Sequence, residues 1–469
     1  RILIMLNNII LSRSLNFWLR SNRYLSTIYA VSSGFGKCGV SIVRVSGPNA
    51  SLSLKMLSPM AAKSLRNPRK AVFTPIQNPY SSDLLDRGLV LWFPSPNSFT
   101  GEDCVEYHVH GSVAVLRELI RLFGSFDDHK HAEAGEFTKR AFTNGKLDLT
   151  KVDGLADLIH AETEEQRKQA IRQMEGGLYS LYQSWTTKII NVLSQIEALI
   201  DFSESEHLDP NLENIIKTGI SKLIHEILLH INDFRVGERI RNGVRVVIVG
   251  KPNVGKSSLL NLLLQRPAAI TSPLPGTTRD LLQFQIDLGG YPVIITDTAG
   301  LRSDSHDPIE NQGIERAKNE ANTADIIINL MDINDSENEE FTHDNVIDVY
   351  NKIDLAPTVY SVPKGTFPIS VLHSKGINPL LESLTIKVQE LCQSSGSSTS
   401  PSLTRMRYQT HCKKAVEFLE KAQTGDLENN TDVVAHYCRL AMREIESIVG
   451  KIDPELIFDV IFADFCIGK

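Results

Sequence analysis

The chain has 469 residues, enough for about three domains, and 42% apolar with 22% charged residues is an ordinary balance for a protein with buried cores. A formal net charge of −7 excludes a surface coated in basic residues, so any contact with nucleic acid has to come from local patches or from a partner. Six cysteines, Cys38, Cys104, Cys392, Cys412, Cys438 and Cys466, are scattered with no C-x-x-C pair, which argues against a zinc site or a disulfide framework and fits a reducing compartment.

No acidic residue precedes Asp83, and the first thirty residues carry Arg1, Arg13, Arg20 and Arg23 among Leu, Ile, Ser, Phe and Trp. That composition predicts a mitochondrial transit peptide over residues 1–30, with a buried helix as the other reading. The apolar run Ile2–Leu11 is interrupted by Asn7 and Asn8 and is too short to cross a bilayer.

From 31 to 150 short apolar runs, Val40–Val45 and Leu89–Phe93, stand between Gly, Pro and Ser clusters, which reads as a mixed α/β amino-terminal domain. Over 151–242 the period changes. Leu178, Leu181, Trp185, Ile189, Val192, Ile196 and Leu199 recur every three or four residues, as do Ile216, Ile220, Leu223, Ile227 and Ile231, so long amphipathic helices packed as a bundle are expected there.

The run Val244–Val249 leads into Gly250–Ser258, G-K-P-N-V-G-K-S-S, and then into Leu259, Leu260, Leu262, Leu263 and Leu264. A strand, a glycine loop and a helix in that order make a P-loop, in which the backbone of Asn253, Val254 and Gly255 with Ser258 cradles phosphates, Lys256 reaches the outer ones and Ser257 ligates Mg²⁺. Asp297, Thr298, Ala299 and Gly300 close a second apolar run, where an NTPase needs a carboxylate on the Mg²⁺ side and a glycine amide for the γ-phosphate. Between them Gly276-Thr277-Thr278-Arg279-Asp280 takes the place of a switch loop, with Thr278 completing Mg²⁺ coordination. Asn351-Lys352-Ile353-Asp354 follows Val346–Val349, and a carboxylate there accepts both N–H groups of a guanine edge while offering adenine nothing to match. GTP is therefore the expected nucleotide.

This GTPase segment spans 243–391, with a mostly parallel sheet, and the stretch Ser394–Ser400 reads as a flexible connector. Helical periodicity returns over 392–469 in Val434, Tyr437, Leu440 and Ile448, and Asp453-Pro454-Glu455 reads as an N-cap with proline at the first helical position. The expected architecture is multidomain: an amino-terminal α/β domain, and an all-α bundle into which a P-loop GTPase domain is inserted.

The last five residues are Phe465-Cys466-Ile467-Gly468-Lys469, and with Gly36–Gly47, Pro96–Gly111 and Gly135–Asp148 they resemble the MnmE/TrmE family of tRNA-modification GTPases from about Ser33 to Lys469. The resemblance implies modification of wobble uridine at C5 (carboxymethylaminomethyl or taurinomethyl) in mitochondrial tRNAs, with a GidA-type flavoprotein using FAD and NADH. It implies a one-carbon unit from 5,10-methylene- or 5-formyl-tetrahydrofolate, a homodimer through an amino-terminal folate-binding domain, and a place in the mitochondrial matrix. The matching folate positions are Arg44, Glu106, Lys146 and Lys469. Cys466 is a candidate catalytic thiol, a packed small hydrophobe being the alternative.

Directly after D-T-A-G stands Leu301, which cannot hydrogen-bond the attacking water as a glutamine does in many GTPases. The resemblance assigns that role to Glu310, with one extra residue in the loop before it. It also implies K⁺ held by Asn253, Ser272, Leu274 and Thr277, in a loop stiffened here by Pro273 and Pro275. The guanine-contacting S-A-x segment reads Ser370-Val371-Leu372, a departure from the family. A ribosome-assembly GTPase would be expected to carry a KH-type G-x-x-G clamp and a basic tail, neither of which is evident.

Overall fold

In the computed structural model the described residues are 26–34, 36–201, 211–265, 269–273, 282–297, 323–335, 343–356, 362–393, 403–427, 430–452, 462 and 465–469. The chain divides into two compact units, Arg1–Ala156 together with Val449–Lys469, and Asp157–Ile448.

The first unit is built on six strands, β1 (Thr27–Val31), β2 (Cys38–Ser46), β3 (Val72–Gln77), β4 (Leu84–Phe93), β5 (Cys104–Gly111) and β6 (His129–His131), in the order β3-β4-β5-β2-β1-β6. All pairings are antiparallel except β1 with β6. Side chains alternate across a strand. Val43, Val45, Val105 and Tyr107 therefore enter the main core, where α1 (Ala50–Leu57) and α2 (Val113–Phe123) contribute Leu54, Leu119 and Phe123. Arg44 and its cross-strand neighbour Glu106 fall on the opposite face. That face carries a smaller apolar cluster of Ile28, Ala30, Ala132 and Phe137, the last from α3 (Glu136–Thr143), with Phe99 against it.

The carboxy terminus joins this unit. Ile467 bridges Ala134, Phe462 and Phe465 are both 4% exposed, and a Cβ on Gly468, whose φ is +101°, would strike the Val31 carbonyl oxygen. Residues 449–469, whose sequence continues the helical block, pack with this unit.

The boundary after Ala156 falls within α4 (Leu149–His160). The second unit then runs through α5 (Glu164–Met174), α6 (Gly177–Asp201), α7 (Leu212–Asn232) and α8 (Phe234–Asn242). The apolar stripes of α6 and α7 are core seams: Leu178, Trp185, Ile189, Ile196, Ile216, Ile220 and Ile227 are each at most 1% exposed. A fully buried side chain of this size contributes about 1.5–3 kcal/mol relative to exposure, so the seam outweighs any propensity term.

Between α8 and the last two helices lies a lobe with its own sheet, made of β7 (Val244–Val249), β8 (Ala269–Pro273), β9 (Leu282–Leu288), β10 (Tyr291–Asp297), β11 (Ile326–Asp332), β12 (Val346–Asn351) and β13 (Phe367–Pro368). Their order is β13-β12-β11-β7-β10-β9-β8, parallel from β13 to β10 and antiparallel at β9 and β8. α9 (Lys256–Leu264) and α10 (Ile377–Leu391) bury Leu259, Leu260, Leu263, Leu380 and Leu384 against it. β8 is the edge strand, and Pro273 sits there beyond a register shift, where a missing N–H costs least. α11 (Met406–Gln423) and α12 (Thr431–Ile448) complete the bundle. Among the described residues no helix is long and apolar enough to cross a membrane.

Candidate functional site

The loop after β7 has the shape that its glycines require. Gly255, with φ +104°, is the residue before α9, and a Cβ there would come within 2.5 Å of Asn351 Nδ2. Lys256 Nζ donates to the carbonyls of Gly250 at 2.6 Å and Lys251 at 2.8 Å, folding its ammonium back over the loop where phosphate oxygens would compete for it. Val254 is 4% exposed, whereas Asn253, Ser257 and Ser258 are exposed on the loop and the first turn of α9. Exposed side-chain oxygens at a helix N-terminus suit phosphate and a divalent cation.

Asn351, at the end of β12, is 4% exposed and joins three segments. Its Nδ2 donates to the Val254 carbonyl at 2.7 Å, and its Oδ1 accepts from the Val371 backbone N–H at 3.1 Å. Lys352 takes a left-handed conformation, φ +66°, and its Nζ lies 2.8 Å from Asp332 Oδ2. Partial burial of Asp332 works against its charge, but the bonds from Lys352 and the Asn334 N–H hold its carboxyl below the usual range. Sequence reasoning did not single out Asp332; its signal is an acid closing the run Ile326–Met331, which is apolar apart from Asn329.

Asp354 is exposed, with its Oδ1 accepting from Ser370 Oγ at 2.5 Å, and that hydroxyl is the main reason its carboxyl titrates below the ordinary value. Ser370 is fully buried and fixed by reciprocal backbone bonds with Lys375. The Ser370-Val371 segment thus reaches Asn351 through the Val371 N–H and Asp354 through the Ser370 hydroxyl, despite the departure from an S-A-x pattern. An ionised carboxylate so placed is acceptor-only, the property that reads the N–H edge of guanine.

Of the remaining nucleotide and cation residues, Ser272 lies on β8 and Asp297 ends β10, next to β7 in the sheet. Leu274, Thr277, Thr278, Thr298, Ala299, Gly300 and Glu310 lie outside the described residues, as does Asp453-Pro454-Glu455.

In the first unit Arg44 is paired with Glu106 across β2 and β5, Nε and Nη2 both donating to Oε1 at 3.1 and 2.9 Å. The guanidinium lies 5.2 Å from the Phe99 ring centre and 5.7 Å from that of Phe137. Arg44 Nη1 is buried and has no acceptor among the described residues, although a buried donor left unmatched costs about 1–3 kcal/mol. His108 Nε2 approaches the other Glu106 oxygen at 3.4 Å. Lys469 shares this field: burial first, then the Arg44 charge, lowers its ammonium pKa, against the opposing pull of Glu106 and Cys466. Arg44 and Glu106 are therefore in direct contact, and Lys469 lies within electrostatic reach of both. Lys146 is tied to the Pro96 carbonyl at 2.9 Å, at the start of the segment that supplies Phe99. Phe99 and Phe137 were not singled out in sequence, although both stand in the motifs quoted there. Cys466 is exposed, unlike Cys104, Cys392, Cys412 and Cys438, whose thiols burial pushes up to about 12.

Residues 27–146 match the family model described as "GTP-binding protein TrmE N-terminus", and residues 149–466 match "MnmE helical domain". The chain is similar to "5-taurinomethyluridine-[tRNA] synthase subunit GTPB3, mitochondrial" of Danio rerio, 44% identical over 94% of this chain and 93% of that one. The protein of the same name from Homo sapiens is 40% identical over 95% of this chain and 93% of its own. "tRNA modification GTPase MnmE" of Rickettsia bellii is 41% identical over 95% of this chain and all of its own length.

Proposed function

This chain belongs to the MnmE/TrmE family, and from that premise we propose that it is a GTP-hydrolysing enzyme of tRNA wobble-uridine modification. With a GidA-type FAD protein it adds an aminomethyl-type group, carboxymethylaminomethyl or taurinomethyl, to C5 of that uridine in mitochondrial tRNAs. The reading places it in the mitochondrial matrix, as a homodimer through the amino-terminal domain. The observation that carries it is the presence, in a chain matching those relatives over nearly their whole length, of a glycine loop fastened to Asn351, with Asp354 of the same segment held by Ser370, and of a separate unit holding Arg44 with an unmatched buried donor.

Arg44 Nη1 fits an incoming carboxylate such as the glutamate tail of a tetrahydrofolate, and Glu106 fits the donor edge of a pterin. When bound, the folate supplies the one-carbon unit. Phe99 and Phe137 flank the guanidinium and limit its orientation, Lys146 and Lys469 add positive charge, and Cys466 offers an exposed thiol to the same site.

In the GTP-binding lobe Lys256 would turn from the loop carbonyls to phosphate, Ser257 and Thr278 would hold Mg²⁺, and Asn253 with Ser272, Leu274 and Thr277 would hold K⁺ where other GTPases present an arginine finger, the ions supplying positive charge for the phosphates when bound. Glu310 orients water. Its replacement by alanine lowers hydrolysis by roughly 10²–10³-fold, as for loss of one oriented polar group.

Purified chain and flavoprotein are incubated with GTP, a methylene-tetrahydrofolate, an amine and unmodified mitochondrial tRNA, and the wobble nucleoside is read by mass spectrometry. A C5-modified uridine formed only with both proteins and GTP is expected. Unmodified uridine throughout overturns the reading.

A further inference from the structure

The chain crosses between the helical block and the GTP-binding lobe twice, at α8 on the way in and before α11 on the way out, and one carboxylate stands at both crossings. Asp157 Oδ1 accepts from Arg241 Nε at 2.8 Å and from Arg405 Nη2 at 2.8 Å. Arg241 is in the last turn of α8, three residues before β7 begins, and Arg405 immediately precedes α11. The Asp157 side chain is 13% exposed and those of Arg241 and Arg405 are 30% and 16%, so these charge-assisted bonds are partly shielded from water.

α8 is held from two sides. Toward the lobe, Arg239 donates to Asp325 Oδ1 at 2.9 Å and to the Leu391 carbonyl at 3.1 Å, while Asp325 Oδ2 accepts from the Arg245 N–H on β7 at 3.0 Å. Toward the helical block, Gln166 and Gln169 of α5 donate to the Arg241 and Gly237 carbonyls. A continuous set of bonds therefore runs from β7, the strand that ends in the phosphate loop, through Asp325, Arg239 and α8 to Asp157 and Arg405.

We propose that Asp157 is a positioning residue that latches both crossings of the chain to the helical block and so fixes the orientation of the GTP-binding lobe on it. Without its charge, two guanidinium groups that shared one oxygen repel each other, and both crossings lose a charge-assisted bond to the helical block at once. Neutralising Asp157 leaves the phosphate and guanine loops untouched, since none of their residues bonds to it. The consequence for tRNA modification rests on the function proposed above; the latch itself does not.

The test uses the full chain with exposed Cys38 and Cys466 replaced by serine and spin labels attached at Lys222→Cys on α7 and Glu382→Cys on α10, both exposed positions. The distance distribution by double electron–electron resonance is expected to be narrow, to broaden at least twofold in Asp157→Asn, and to narrow again in Asp157→Glu. Arg405→Gln is the second variant and should broaden it likewise if Asp157→Asn does not fold. Equal widths in the parent and in either folded variant overturn the latch, whether or not the protein modifies tRNA. In the native-cysteine enzyme, Asp157→Asn should keep GTP turnover within about twofold while modification per GTP hydrolysed falls at least fivefold. No modification by the unaltered chain would count against the proposed function alone, whereas an unchanged ratio in Asp157→Asn would overturn the role of the latch in coupling.

Discussion

Asn351 Nδ2 donates to the Val254 carbonyl at 2.7 Å, so the Asn351–Asp354 segment and the glycine loop between β7 and α9 share one buried side chain. Its Oδ1 also holds the Val371 N–H. Asn351→Ala strips both partners of their bond, a loss of about 1–3 kcal/mol. GTP and GDP are expected to bind roughly 10–100-fold more weakly, and equally so, because what is lost is loop geometry and not a γ-phosphate contact. Titration with a fluorescent analogue of each nucleotide checks this. A defect confined to GTP would contradict it.

Asp354 is expected to select guanine because Ser370 holds its carboxylate in place. In Asp354→Asn an amide donor replaces one acceptor, matching the 2-oxo group of xanthine where guanine has an amine. GTP affinity should fall on the order of 10²-fold while xanthosine triphosphate gains. Competition of the two nucleotides for the variant decides it, and undiminished GTP binding would remove Asp354 from its role.

What was legible in the sequence follows from how local each signal is. The phosphate loop is a contiguous strand, glycine turn and helix, and Val244–Val249, Gly255 and Lys256–Leu264 stand where the motif put them. The stripes on α6 and α7 were legible because large aliphatics carry them. α11 was not singled out: Cys412, Ala415 and Ala422 are buried among Tyr408, Val416 and Leu419 on its inner face, and these small members dilute the stripe. The face of α12 was read through Tyr437 and Leu440, whereas Ala435, Cys438 and Ala441 are the buried positions between Val434 and Ile445. Small residues let these two helices approach closely, so the tightest packing gave the faintest pattern. Arg44 and Glu106 are 62 positions apart and were matched by resemblance; only the β2–β5 register explains why they meet.

Arg44 is held by Glu106 and lies close to Phe99 and Phe137, so its fork and plane matter as well as its charge. Arg44→Lys keeps the charge and loses both other features. Binding of 5-formyl-tetrahydrofolate, followed by calorimetry, is expected to weaken roughly tenfold, the equivalent of about 1.4 kcal/mol. GTP turnover in the absence of tRNA should be unaltered, since no residue of the phosphate or guanine loops bonds to Arg44. Unchanged folate affinity would remove the basis for assigning this site.

His230 gives the bundle a pH dependence whose sign can be worked out. It lies on α7 at 8% exposure, its Nε2 3.4 Å from the Tyr182 hydroxyl and its ring 5.4 Å from that of Trp185. Burial disfavours the imidazolium and lowers its pKa from 6.5 to about 4. Between those values the unfolded chain binds a proton that the folded chain refuses, so stability falls as pH drops through that window and levels off below about 4. The full difference amounts to about 3 kcal/mol, of which about 2 kcal/mol is lost between pH 7 and pH 5. Carboxylates add their own acid dependence, so the comparison has to be with a variant that cannot titrate here. His230→Gln keeps a polar group within reach of Tyr182 and removes the ionisation. Urea midpoints at the two pH values should show the unaltered chain losing about 2 kcal/mol more than His230→Gln. Parallel losses in the two proteins would mean that His230 finds a proton without unfolding, and that the Tyr182, Trp185 and His230 packing opens in the native state.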